Sequence, residues 1–276
     1  MSLSQLLALS FVQHAFYAVT AVALAAGPVG YFVVIRRQAF AAHAIGHVGF
    51  AGAAGAVLLG LSPLWGLLAF CLGAGLLIGI GGAALDDRDA VVGVTLTAAL
   101  GLGVLFISLY SGYANATYSI LFGQILGVST SDVIIVALLS LGVLAVVSYA
   151  YRPLLFVSVD TQSGEARGLS VRNLSLLFMI VLAVTTVVAI QVVGVLLVFS
   201  LLVAPAAAGE MITNRPFEAM IWSTCLALLS AWIGLFLGVW VGGPVSFWIT
   251  ALASSGYLVA RLRGARRARR TRLVVA

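Results

Sequence analysis

The chain has no lysine, and all fourteen of its basic residues are arginine. Charge of either sign is scarce, at 8% of 276 residues against roughly 25% in an ordinary soluble domain. With 63% hydrophobic residues and a mean hydropathy of +1.19, this excludes a soluble globular domain and points to an integral membrane protein. The formal charge of +6 and pI of about 9.8 do not indicate nucleic-acid binding, because the arginines cluster at the ends of apolar runs. Only two cysteines occur, Cys71 and Cys225, each inside an apolar run where a thiol behaves as a small hydrophobe, so no disulfide framework is expected. No carboxylate falls in the middle of an apolar run, which argues against an intramembrane proton or sodium relay and against a carboxylate-based membrane enzyme. Metalloprotease and Ser/His protease patterns are missing as well. No basic segment precedes a cleavage site near Met1, so the first apolar run is expected to be a permanent span.

What is present is a series of apolar runs, each near the ~20 residues needed to cross a ~30 Å hydrocarbon core. The boundaries predict spans over 6–35, 39–60, 63–85, 89–110, 132–151, 173–190, 192–209, 217–241 and 245–262, an all-α polytopic fold of nine passes, with eight possible. Gly27-Pro28-Val29-Gly30 predicts a kink or unwinding in the first. The stretch 173–209 would reach roughly 54 Å as one helix, so a break is expected near Gln191 and Gly194. Nine passes place Arg36, Arg37, Arg88, Arg152, Arg167, Arg172, Arg215 and the tail from Arg261 to Arg272 on one side, which by the positive-inside rule is the cytoplasm. The N-terminus is then outside and the C-terminus inside. The membrane domain covers 1–262, with a polar inner segment at about 152–173 and a basic cytoplasmic tail at 263–276. An outer loop, 111–131, is long enough to form a lid or an interfacial helix.

His43 and His47 are the only metal-capable pair at helical spacing. Four residues apart, they share a face of the second span and can offer two imidazoles to one ion; the alternative is two histidines hydrogen-bonded to neighbouring helices. His47 lies about 13 Å along that helix, close to the bilayer midplane. Gly46, Gly49, Gly52 and Gly55 recur every third residue beside the pair, either packing the helix tightly or lining a narrow pathway. His14 reads as an interfacial polar residue. Asp160 to Leu169 predicts a short amphipathic inner helix ended by Gly168, a solvated turn or a docking element for a cytoplasmic partner.

Together these pieces resemble the permease subunit of the zinc/manganese ABC importers, the family often called ABC-3. The resemblance runs from about Gly27 to about Phe247 and rests on Gly27-Pro28-Val29-Gly30, on Arg36-Arg37 with Ala39-Phe40 and the histidine pair, and on Asp89 through Gly103. It continues in Leu121-Phe122-Gly123, in Asp160 with Ala166 and Gly168, in Val193-Gly194-Val195 leading to Leu201-Leu202-Val203-Ala204-Pro205, and in Gly243-Pro244. It implies a homodimeric pore of the vitamin-B12-importer type in the bacterial inner membrane, with no permanently bound cofactor. A cytoplasmic ATP-binding subunit would dock on Asp160, Glu165, Ala166 and Gly168, and an extracytoplasmic metal-binding protein would deliver the ion. At position 43 the family usually has Asp, and this chain has His. Exchange of a hard carboxylate for imidazole tilts the expected cargo toward zinc, with manganese next. A standalone secondary carrier or channel is the alternative, and a scaffold acting through the arginine tail is a third reading.

Overall fold

Backbone that enters hydrocarbon must satisfy its hydrogen bonds internally, and this chain does so with helices. The computed structural model describes residues 9–84, 88–109, 123 and 125–275, with no strand among them. The helices are α1 (Ser10–Ile35), α2 (Ala39–Leu58), α3 (Pro63–Ala84), α4 (Arg88–Leu109), α5 (Thr130–Val159), α6 (Thr161–Ala166), α7 (Val171–Val193), α8 (Val195–Ile212), α9 (Pro216–Trp240) and α10 (Val245–Val275). A 3-10 turn, Ile125–Gly127, precedes α5. Among the described residues eight helices are long and apolar enough to cross a membrane, and α8 is a shorter apolar helix.

Successive long helices alternate in direction along the chain. Gly27 of α1 meets Thr224 of α9 while Thr20 receives the Trp232 indole N–H, so α1 and α9 run antiparallel. Gly209 meets Ala219 across the tight α8–α9 turn, which makes α8 parallel to α1. Gly49 and Gly52 meet Cys71 and Gly66, setting α2 against α3 in the opposite sense. The alternation gathers the arginine-bearing connections at one end of the bundle, as the charge pattern predicts. At this end Arg36 bonds both Ser158 and Ser175. At the other, Thr130 pairs with His14 and Gln191 with Asp132.

α1 and α7 form the centre: α1 packs on α5, α7, α8 and α9, and α7 on α2, α3 and α5. α4 and α10 lie at the periphery, each against two neighbours that pair with one another. Two differences from the sequence expectation have local causes. Through Gly27-Pro28-Val29-Gly30, α1 stays helical without unwinding. The glycines serve close approach instead: a methyl on Gly30 would lie 2.0 Å from the Leu202 carbonyl oxygen, and Ser223 donates to the Gly27 carbonyl at 2.8 Å. α5 continues through Pro153 to Val159 rather than ending at 151. The carbonyl that loses its donor there belongs to Tyr149, which is exposed, so no buried acceptor is stranded. The last span matches the expected 245–262, with its apolar stretch over Val245–Arg263, and its helix runs on to Val275. The predicted break is at Gly194, whose φ of 87° only glycine adopts readily. Gly123, also at positive φ, packs directly on it, since a methyl there would lie 2.5 Å from the Val193 carbonyl carbon. Two motifs that the sequence shows seventy residues apart are thus one structural feature. Apart from Gly123, Ile125–Gly127 and the residues around Ser129, the outer loop lies outside the described residues, as do Asp86 and Asp87.

Candidate metal site and coupling segment

α2 is poor in large side chains, and close backbone approach is what lets it bury. A methyl on Gly52 would sit 2.2 Å from the Gly66 carbonyl oxygen, one on Gly49 2.7 Å from the Cys71 sulfur, and one on Gly55 3.0 Å from the Phe106 ring. These three glycines are therefore seated on α3 and α4. Gly46 has looser surroundings, with the Thr186 methyl of α7 at 3.9 Å. The result is a helix buried at every position from Ala41 to Ala56 except two, His43 and His47. Their rings stand edge to face, 4.5 Å between centroids, and Phe199 of α8 lies edge-on to His43 at 5.3 Å.

Beside them the open face of α8 carries Phe199, Ser200, Val203, Ala204 and Ala207, ending at the exposed Glu210. In the sequence Val203 and Ala204 figure only as part of the resemblance, and the signal for the face itself is small residues at helical spacing before a lone acid. Among the described residues no group of three or more His, Cys, Asp or Glu side chains that could hold a metal converges, and His43 and His47 stand as a pair. His14 sits at the far end of α1, 3.4 Å from the Thr130 hydroxyl, and does not join them.

The inner polar segment contracts to Asp160–Ser170. Asp160 caps α6, accepting from the Ser163 amide at 3.1 Å and from the Ser163 hydroxyl. Those bonds hold its carboxyl below the ordinary carboxylate range. At the other end Leu169 N–H reaches the Gly164 carbonyl and Gly168 N–H the Glu165 carbonyl, a paired stop that requires the positive φ of 77° at Gly168. Gly164 is buried against Val157, so α6 folds back on the last turn of α5. Glu165, Ala166, Arg167 and Gly168 are left exposed, with the Arg167 guanidinium over the Phe156 ring. Asp160, Glu165, Ala166 and Gly168 thus lie on one short element, at the end of the bundle where the arginines gather.

The chain matches the model of the ABC 3 transport family over residues 8–264. It is 31% identical over 235 residues to "Manganese transport system membrane protein MntC" of Listeria monocytogenes, covering 85% of this chain and 84% of that one. It is 28% identical over 241 residues to "High-affinity zinc uptake system membrane protein ZnuB" of Buchnera aphidicola, covering 87% and 92%. Among solved structures it superposes on a chain of "PsaBC from Streptococcus pneumoniae in complex with Fab" with a TM-score of 0.83, 28% identity and 93% coverage of both. With a family model spanning nearly its whole length and a multi-pass helical bundle to match, the chain belongs to the ABC 3 transport family.

Proposed function

We propose that this chain is the membrane-spanning permease subunit of an ATP-driven importer of divalent transition metal, acting as a homodimer in the bacterial cell membrane. Membership of the family supports the transport role, and relatives named for manganese and for zinc support the class of cargo. The observation that carries the site is the exposure pattern of α2, in which His43 and His47 alone interrupt a run of fourteen buried positions between Ala41 and Ala56. Two imidazoles are half of a tetrahedral set, and a second copy facing the first would complete it without fixing the ion permanently. Transport requires binding weak enough to release, which a ligand set split between two subunits provides. Imidazole at position 43 favours zinc, with manganese next.

In this reading an extracytoplasmic metal-binding protein delivers the ion to the arginine-free end, and α8's small-residue face lets it pass toward Glu210. A separate cytoplasmic ATPase docks on the exposed side of α6 and supplies the energy, since the chain itself performs no bond chemistry. The N-terminus lies outside and the C-terminus inside, by arginine placement. The test is metal accumulation in a strain lacking the chain, complemented with wild type or with His43→Ala, His47→Ala and the double variant, across zinc, manganese and iron. Uptake should fall at least 10-fold in the double variant at unchanged membrane abundance. Wild-type uptake by that variant removes the histidines from the pathway.

A further inference from the structure

α6 hangs between two stems, the last turn of α5 and the first turns of α7, and one side chain touches both. Arg36, at the C-terminus of α1, donates from Nη1 to Ser158 Oγ at 3.2 Å and from Nη2 to Ser175 Oγ at 2.8 Å. Its guanidinium also lies 5.1 Å from the centroid of the Phe178 ring on α7. Ser158 precedes the α6 cap Asp160 by two residues, and Ser175 follows the α7 cap Ser170 by five. Its own hydroxyl is turned to the Leu154 carbonyl at 2.5 Å, so Ser158 presents Arg36 with an oxygen already oriented as acceptor.

In the other direction Arg36 leads without slack into the helix that bears the histidines. Arg36 N–H bonds the Phe32 carbonyl, Arg37 N–H that of Val34, Gln38 N–H that of Val33, and Ala42 N–H that of Gln38. Arg37 adopts a φ of 54°, and Gln38 is 3% exposed. A three-residue joint with every amide committed, one residue left-handed and one buried, transmits displacement instead of absorbing it. Between α6 and the joint lies an open cavity of about 430 Å³, lined by Arg36, Gln38, Ser158, Glu165, Arg172 and Ser175, which gives the guanidinium room to move.

From this geometry we infer that Arg36 is a positioning residue that couples movement of α6 to the register of α2, and so to His43 and His47. Any motion that spreads or closes the two stems must carry Arg36 with it or break its bonds to one serine. The inference rests on the proposed permease function with α6 as the ATPase dock.

The experiment uses the chain purified with the ATPase it retains, reconstituted in vesicles, with zinc(II) and manganese(II) each supplied alone, and reads ATP hydrolysis and metal uptake in the same preparation. Arg36→Ala should keep its ATPase and hydrolyse ATP within 2-fold of wild type, while uptake per ATP falls at least 10-fold. Ser158→Ala/Ser175→Ala, which leaves the arginine in place, should show the same fall. Arg36→Lys should be intermediate, because an ammonium lacks the fork that reaches two acceptors at once. Uptake per ATP within 2-fold of wild type in Arg36→Ala overturns the inference, as does a proportional loss of both rates or loss of the ATPase, which would mark a merely structural role. If Arg36→Ala does not fold, the serine pair decides: a wild-type ratio there overturns the inference. The underlying reading fails separately and visibly, either when wild type retains no ATPase, which takes the inference with it, or when Ala166→Arg keeps full ATPase association, which leaves Arg36 with no docked element to report and equally overturns it.

Discussion

The seam between α2 and α3 offers the sharpest test of how the histidines are placed. Substituting Gly52→Ala puts a methyl 2.2 Å from the Gly66 carbonyl oxygen, where ordinary contact begins at 3.4 Å, a shortfall of 3.4 − 2.2 = 1.2 Å. The obstacle is backbone and cannot rotate away, and Phe70 Cβ at 2.6 Å closes the remaining direction. α2 must therefore back off, forfeiting dispersion contacts along the seam. Overpacking of this kind costs about 1–3 kcal/mol, offset by about 0.5–1 kcal/mol because Ala is the better helix former. Gly73→Ala, on α3, is the internal control, since a methyl there meets nothing within 4 Å and should simply gain the helix term. The helix term is common to both variants, so they should differ by the overpacking cost alone, about 1–3 kcal/mol, roughly 5- to 150-fold in the unfolding equilibrium. Denaturant titration in detergent micelles, followed by helical circular dichroism, reads that difference. Gly52→Ala should also impair metal uptake, because His47 is five residues away on the displaced helix. Equal stability of the two variants would refute the reasoning, for it would mean that the helices do not approach as closely as the seam requires.

Gly194→Ala should destabilise the chain by about 1–3 kcal/mol, because φ 87° with ψ 160° is a region essentially reserved for glycine; an unchanged thermal midpoint in detergent would contradict this. The Asp160 cap carries a pH signature: its folded carboxyl titrates below the ordinary range, so its contribution is complete above the unfolded value near pH 4 and is lost as pH falls through the lower folded one. Exchange protection of the Ser163 amide should accordingly be flat from pH 8 to 5 and fall only in stronger acid, while Asp160→Ala lowers it throughout; equal protection in that variant would show that the cap does not hold α6. Reporter fusions after Arg88, Arg167 and Arg270 should report cytoplasm and one near Asn115 the outside, and an external signal after Arg270 would break the proposed orientation.

Composition and periodicity alone made this a multi-pass helical membrane protein. Every segment long and apolar enough to span hydrocarbon has to become a helix there, whatever its neighbours do. The sequence also located the break at Gly194, the stop at Gly168 and the histidine pair, since each depends on local backbone freedom or on helical spacing. Segment ends were less legible. α5 runs past Arg152-Pro153 because the lost acceptor falls on an exposed face, a fact about surroundings rather than about proline. Tertiary structure decided which residues matter to one another. It set Gly123 on Gly194, gave the glycines of α1 and α2 to close packing, and placed Phe199 against His43. It also turned Arg36, legible in the sequence as a topology-setting charge and part of a family marker, into a bridge between Ser158 and Ser175. Contacts across more than a hundred residues leave no local pattern, because what makes them favourable is the position of a helix surface that exists only once the bundle has packed.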